Sequence, residues 1–399
     1  MTEGCRCCHH AVDVDSKGPL LAEMTVPLVD LRAGHLGMRE ELDAAMTRVV
    51  EAGTFINGSD VGAFEAEFAA FCGTRRAVGV ASGTAALHLA LVALGVGPGH
   101  EVVTVAHTFT ATAEAIGHAR ARPRFVDVDE ATGGMDPKAL ASSIEGAAAV
   151  VPVHLYGLPV DMGAILEVAG EAGVPVLEDA AQAHGATVTV AEGATPRRAG
   201  SLGAAAAFSF FPAKNLGAFG DAGAVTTGDD ELADRVARLR DHGRTSKYDH
   251  AEPGWGERLD TLQAAVLRVK LAHLEASNAA RARAARRYDE ALAGVGDLVL
   301  PPRVPGRTSA WHLYVVRTAE RDALLGHCRA AGVQAGVHYP LPLHLQPAWR
   351  HLGYARGDLP VTEAWAAECC SLPIYPELDE PRQAHVVATV RGFFERRRR

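Results

Sequence analysis

Between residues 76 and 227 the chain alternates short, unbroken apolar runs with stretches of helical spacing. The runs are Ala77–Ala81, Glu101–Val105, Arg124–Asp127, Ala149–Val153, Val174–Glu178, Ala206–Phe210 and Ala222–Thr227. Helical patterns fill most of the gaps, at Ala85–Leu94, Thr110–Gly117, Pro137–Ile144 and Met162–Ala172. Strands buried on both faces read as continuous apolar runs, and helical crossovers make neighbouring strands parallel. The expected class is therefore α/β, with a mostly parallel seven-stranded sheet. Ligands on such sheets gather past the carboxyl ends of the strands. Ser82, Gly83, Thr84, Phe109, His154, Asp179 and Ser209 all fall at or just past such ends.

Downstream the pattern changes. Leu259–Leu274 and Arg281–Leu292 have helical spacing and predict a long connecting helix. Strand patterns follow at His312–Arg317 and Val333–Tyr339, and helical ones at Arg321–Ala331, Pro360–Cys370 and Arg382–Phe394. This predicts a smaller C-terminal α/β domain. The expected division is a leader without order over 1–24, a large domain over 25–258, and the connecting helix with the small domain over 259–399. The polar stretch Gly193–Arg198 reads as a hairpin or surface loop. Cys369 and Cys370 are expected in the core of a helix.

The net charge of −9 argues against nonspecific nucleic-acid binding, with Arg396–Arg399 read as a solvated tail. No apolar stretch reaches the ~18 residues of a membrane span, and the N-terminus lacks a signal-peptide core, so a cytoplasmic protein is expected. Seven cysteines, an odd number, do not suggest a disulfide framework. Cys5, Cys7, Cys8, His9 and His10 are too crowded to surround an ion from two sides, so no metal site is expected. Gly95-Val96-Gly97-Pro98-Gly99 follows a helix and precedes a strand, the reverse of a dinucleotide loop.

The chemistry rests on a lysine and an aspartate. Lys214 follows the apolar run ending at Phe210–Phe211, and Asp179 ends another run upstream. Pyridoxal phosphate (PLP) needs an amine for a Schiff base and a carboxylate against its pyridine nitrogen. Ser82-Gly83-Thr84 opens a helix after a strand. The unpaired N–H groups at such a helix start carry partial positive charge and suit a phosphate, with Ser209 as a second hydroxyl donor. Gln182, three residues past Asp179, is within reach of the same ring, and Phe109 could stack on it. His184 reads as structural.

Taken together, these blocks resemble the DegT/DnrJ/EryC1/StrS family of nucleotide-sugar aminotransferases, within the fold type I PLP-dependent enzymes. The resemblance runs from Val26 to about Phe394. It is carried by Ser82–Leu87, Phe125–Asp129, Val153–Gly157, Glu178–Gly185, Phe208–Gly220, Arg258–Ala265 and His338–Gln346. It implies Lys214 as the Schiff-base lysine, Asp179 as the pyridinium partner and Gln182 as a neighbour of the ring. It further implies Gly83, Thr84 and Ser209 at the phosphate and Phe109 in the stacking position. It implies a homodimer with shared active sites. Family members usually carry an asparagine two residues before Arg258 that reaches the neighbouring subunit's phosphate; here that residue is Gly256, which puts the contact in doubt.

The expected reaction is ping-pong transamination from an amino-acid donor, L-glutamate by family likeness, to a dTDP- or UDP-linked keto-sugar. The run His338–Gln346 looks more like C3 than C4 enzymes, with His338, Tyr339 and His344 as candidates for the sugar pocket. Arg244 and Lys247 could meet the diphosphate, though a solvated loop is the better reading. Alternatives are a C4 enzyme, a keto-cyclitol (scyllo-inosose) aminotransferase, a PLP sugar dehydratase, which would replace Lys214 by histidine, and a non-enzymatic relative.

Overall fold

The computed structural model describes residues 24–397; the expected leader, apart from Met24, and the Cys/His cluster lie outside them. Seven strands build the main sheets: β1 Arg76–Val80, β2 Glu101–Val105, β3 Arg122–Val126, β4 Ala149–Val151, β5 Leu177–Asp179, β8 Ala205–Ser209 and β9 Gly223–Thr227. Between β5 and β8 lie β6 (Thr187–Val188) and β7 (Arg197–Arg198). One sheet has the order β1-β9-β8-β5 and the other β3-β2-β4. They meet through parallel bridges, Val150 to Val176 and Val153 to Asp179. Strand β9 runs antiparallel to both neighbours, and the other pairs are parallel. The sheet is thus mostly parallel, and each expected strand forms, with bounds shifted by up to three residues.

Both faces are covered, which is why the strands carry no polar alternation. Val78, Val80, Leu177 and Val225 pack with Leu89 and Leu91 on one side. Val103, Val105 and Val150 pack with Met162 and Ile165 on the other. At the end of β8 the two-residue period matters most. Phe208 and Phe210 point into an aromatic cluster, with Phe68 edge-on to Phe208 at 5.0 Å and Phe64 edge-on to Phe210 at 5.3 Å. Such pairs contribute about 0.5–1.5 kcal/mol each beyond burial. Successive side chains alternate faces, so Ser209 between them is turned to the opposite side.

The long helix forms as one element, Thr261–Leu292, 32 residues and therefore about 48 Å long. Its first half packs Ala265 against Ala45 and Val49; its last turns place Tyr288 and Leu292 in the C-terminal core. Val26 lies in that same core beside Val316 and Val333, so the chain's first described residues pack against its last third.

The C-terminal third departs from expectation in two places. The predicted helix Pro360–Cys370 stops at Glu368. Cys369–Leu372 is a strand (β12), antiparallel to β11 (Tyr314–Arg317). Both cysteines are buried as expected, but in a strand rather than a helix. Because β12 takes the place beside β11, Val333–Tyr339 forms no strand and makes only single bridges at Val333 and Gly336. The Gly193–Arg198 loop is bordered by a small antiparallel sheet in which β6 pairs β7 and β10 (Arg307–Thr308). Among the described residues no helix is long and apolar enough to cross a bilayer.

Candidate active site

Adjacent carboxylates at the end of β5 face opposite ways. Glu178 points into the protein and is fully buried. Its oxygens accept from His154 Nε2 at 2.9 Å and from the backbone N–H groups of Gly200, Leu202 and Gly203 at 2.7–2.8 Å. The Val160 N–H donates to His154 Nδ1 at 3.3 Å, which orients the ring with Nε2 toward Glu178. Burial pushes the Glu178 carboxyl up, but these donors outweigh it and leave it below its ordinary range. Glu178 is a structural clamp, a role that no spacing in the sequence marks.

Asp179 faces the strand ends. Its Oδ2 accepts from the Thr112 hydroxyl at 2.8 Å and its Oδ1 from the Ala181 N–H at 3.2 Å. Thr112 is itself buried beside Thr108, 2.9 Å away. Burial raises the Asp179 carboxyl above the ordinary aspartate value; Thr112, Ala181 and the Lys214 ammonium hold it back. Reciprocally, burial lowers Lys214 to about 8, against the pull of Asp179. A lysine at about 8 is neutral in about one molecule in ten at pH 7, against about one in three thousand for an ordinary lysine. Burial thus disfavours the charged form of this amine, and a carboxylate is close enough to feel its charge.

Ser82 caps the helix Gly83–Ala93, its Oγ accepting from the Ala85 N–H at 3.1 Å, and the first helical bond runs from Ala86 to Ser82. The N–H groups of Gly83 and Thr84 therefore precede the hydrogen-bonded ladder. A Cβ built on Gly83 would lie 2.6 Å from the Ser209 Cβ, so glycine is required for β8 to bring its serine alongside this helix start. Phe109 is 51% exposed, and its ring tilts against Tyr339 at 5.6 Å. Gln182 is buried. Its Oε1 accepts from the Tyr156 N–H at 2.6 Å, which leaves its amide N–H to reach the Tyr339 hydroxyl at 3.5 Å.

A hydroxyl-and-amide cup, an exposed aromatic face, a buried acid and a depressed lysine form a cradle for an aromatic ring bearing a phosphate and an aldehyde. The residues present fit PLP. The chain's family follows from comparison with known proteins: residues 37–391 match the model of the DegT/DnrJ/EryC1/StrS aminotransferase family.

The chain belongs to that family. It is a PLP-dependent aminotransferase. Among its relatives, the dTDP-3-amino-3,4,6-trideoxy-alpha-D-glucose transaminase of Streptomyces venezuelae is 45% identical over 93% of this chain and 97% of its own. The UDP-N-acetyl-3-dehydro-alpha-D-glucosamine 3-aminotransferase of Acidithiobacillus ferrooxidans is 41% identical over 92% and 97%. The crystal structure of S. venezuelae DesV in complex with a ketimine intermediate superposes with a TM-score of 0.90, at 45% identity over 93% of this chain and 99% of that one.

Not every predicted residue of this aminotransferase joins the cradle. Tyr339 does, through Gln182 and Phe109. His338 donates or accepts at Ser371 Oγ through Nδ1, 2.8 Å away, and burial beside Lys214 lowers it to about 4. His344 does not. It is 1% exposed, its Nε2 sits 3.1 Å from Glu363, and its ring packs edge-on to Tyr354. Glu363, on the helix Pro360–Glu368, holds it away. His184 lies between the Phe208 and Phe210 rings, a packing position as expected. Arg244 pairs with Asp241 on a loop whose tip, Lys247 and Tyr248, is exposed. A Cβ on Gly256 would lie 3.2 Å from the His242 ring, so histidine occupies the space beside the missing asparagine.

Thr112, Tyr156 and His107 were not singled out from sequence. The Tyr156 hydroxyl lies 2.8 Å from His107 Nε2 and also donates to the His338 carbonyl. Tyr156 adopts a left-handed φ of 62°, an uncommon conformation for a bulky residue, and this aims its N–H at Gln182. The signal was present in the Tyr156-Gly157 pair, but no periodicity marks it.

Proposed function

We propose that this enzyme transfers an amino group from L-glutamate to C3 of a nucleotide-linked keto-sugar, as a homodimer with shared active sites. The observation that supports the catalytic part is the pairing of β5 with β8: one strand ends at Asp179, and the loop leaving the other carries Lys214 close enough to feel its charge. The sugar and the position are argued from relatives named for dTDP-linked 3-amino products and for UDP-linked 3-dehydro or 3-oxo substrates, which leaves the nucleotide open.

In this reading Lys214 is the covalent anchor of the cofactor. Gly83, Thr84 and Ser209 would hold the phosphate, Phe109 would cover one ring face, and Gln182 would neighbour the ring. Bound PLP supplies an electron sink for the carbanion left when the donor loses its α-proton. The protein's part is to place charge and protons. Asp179, oriented by the Thr112 hydroxyl, would pair with the ring nitrogen. With a donor in place, the neutral Lys214 amine would take the donor's α-proton onto Nζ and hold it there for return to a carbon within its reach. Tyr339 and His338 line the approach for the sugar.

The competing substrate is a keto-cyclitol, which would need the same machinery. The test loads the enzyme with pyridoxamine phosphate and offers 3-keto and 4-keto dTDP- and UDP-sugars and scyllo-inosose. Return of the PLP absorbance with a 3-keto nucleotide sugar is the expected result. Return with only a 4-keto sugar, or only the cyclitol, would replace the proposed acceptor.

A further inference from the structure

The loop that carries Lys214, from Phe211 to Ala222, has no regular secondary structure, so side chains from elsewhere must fix it. The long helix Thr261–Leu292 supplies them. Gln263, Lys270 and Asn278 stand seven and eight residues apart, about two turns each, and so share one face. Gln263 Oε1 accepts from the Phe219 N–H at 2.8 Å, and the Lys270 ammonium donates to the Gly217 carbonyl.

Asn278 does more than hold this loop. Its Oδ1 accepts from Asn215 Nδ2 at 2.8 Å, and its own Nδ2 donates to the His184 carbonyl at 2.7 Å. Asn215 adjoins Lys214 in sequence. His184 closes the turn that begins at Asp179. One amide therefore bridges the segments bearing the amine and the acid. The approach is close: a Cβ on Gly185, at φ +81°, would sit 2.9 Å from Asn278 Nδ2.

The bonds leave Asn215 no freedom. Its second N–H goes to the Ala310 carbonyl at 2.7 Å, so its Oδ1 must accept from His312 Nδ1 at 3.2 Å. That fixes the His312 proton on Nδ1. Burial, with the nearby Lys214 and Arg281 charges, keeps this imidazole well below its ordinary value, so it stays neutral.

We propose that Asn278 is a positioning residue for the reaction: through Asn215 on one side and His184 on the other, it sets the placement of Lys214 relative to Asp179. The inference rests on the reading of Lys214 as the covalent anchor. Misplacing a reacting group by about 1 Å costs up to about 100-fold in rate. A positioning role therefore predicts a loss in kcat with little change in the donor KM.

The experiment uses the PLP-loaded enzyme and the variants Asn278→Ala, Asn215→Ala and the double. Four quantities are read: kcat and KM for the donor, the pH midpoint of the bound cofactor's visible absorbance, and the thermal midpoint. Asn278→Ala should lower kcat about tenfold with KM within about twofold. It should also move the absorbance midpoint by about half a pH unit or more, which a merely structural defect would leave in place. The double variant should match Asn215→Ala alone, because both substitutions cut one link. Asn215→Ala breaks that link from the loop side, so it decides the question if Asn278→Ala fails to fold. A wild-type midpoint and kcat in the single variants, or simple additivity in the double, would overturn the proposal. A wild-type enzyme lacking the absorbance band altogether would instead overturn the reading of Lys214 beneath it.

Discussion

Lys214 and Lys270 carry the same depressed value, about 8 in both cases, and in both burial is the main cause. Their surroundings differ. Lys214 sits in the loop leaving β8, and its opposing charge is the buried Asp179 at the end of the paired strand β5. Lys270 sits on the long helix, donating to the Gly217 carbonyl, 3.4 Å from His35 Nε2 and 5.5 Å from the Phe219 ring centroid. Its opposing charge is Glu377. One amine faces a place where a ring fits; the other is occupied by a carbonyl of the very loop that carries the first. A lowered lysine therefore does not identify a nucleophile. The groups it faces do.

The sharpest way to break this comparison is to remove each amine. Lys214→Ala should lose turnover by about ten-thousand-fold or more, because no second group carries the proton and the attachment together. Lys270→Ala should keep turnover within about tenfold and show its damage as a looser loop, read as faster hydrogen exchange over 211–221. Equal losses in the two variants would erase the distinction.

Asp179→Asn comes next, with an expected loss of about 100- to 1000-fold in kcat while the fold is kept. It also sharpens the pH behaviour. The rate of PLP capture by the apoenzyme follows the neutral amine, so it should rise about tenfold per pH unit below pH 8 and level off above it. Asp179 pulls Lys214 upward, so removing its charge should move that plateau to lower pH. Rapid-mixing measurements of the absorbance change across pH 6–10 test both statements. A rate that keeps climbing to about pH 10 would mean an ordinary lysine.

How much of this was legible depended on the source of each residue's geometry. Strand ends were readable because unbroken apolar runs place them, so the positions of Asp179, Ser209, Gly83 and Phe109 at or past those ends could be read without coordinates. The antiparallel β9 was not, since a buried strand looks the same in either direction. Glu178 and Asp179 differ only by strand alternation, and the face each takes depends on which loop lies behind the sheet. The least legible region was His338–Gln346. Its polar residues look equivalent in sequence, yet Tyr339 reaches Gln182 while His344 is claimed by Glu363, whose helix arrives from nearly twenty residues downstream. Asn278 was invisible for the same reason: its partners are 63 and 94 residues away.

That contrast predicts the smaller effects. Tyr339→Phe should raise the KM for the keto-sugar and lower kcat/KM by about tenfold, through loss of one hydroxyl in the approach. His344→Ala should leave kcat/KM within about twofold and lower the thermal midpoint instead, because it uncouples Glu363 from a buried ring. If His344→Ala proves as costly to sugar turnover as Tyr339→Phe, the buried histidine acts at a distance that its contacts do not explain.

The most direct test of the central claim is to fix PLP onto the native enzyme with borohydride, digest it and locate the modified lysine by mass spectrometry. The account predicts a single labelled peptide carrying the cofactor on Lys214. A label on Lys270, or one shared between the two, would contradict it.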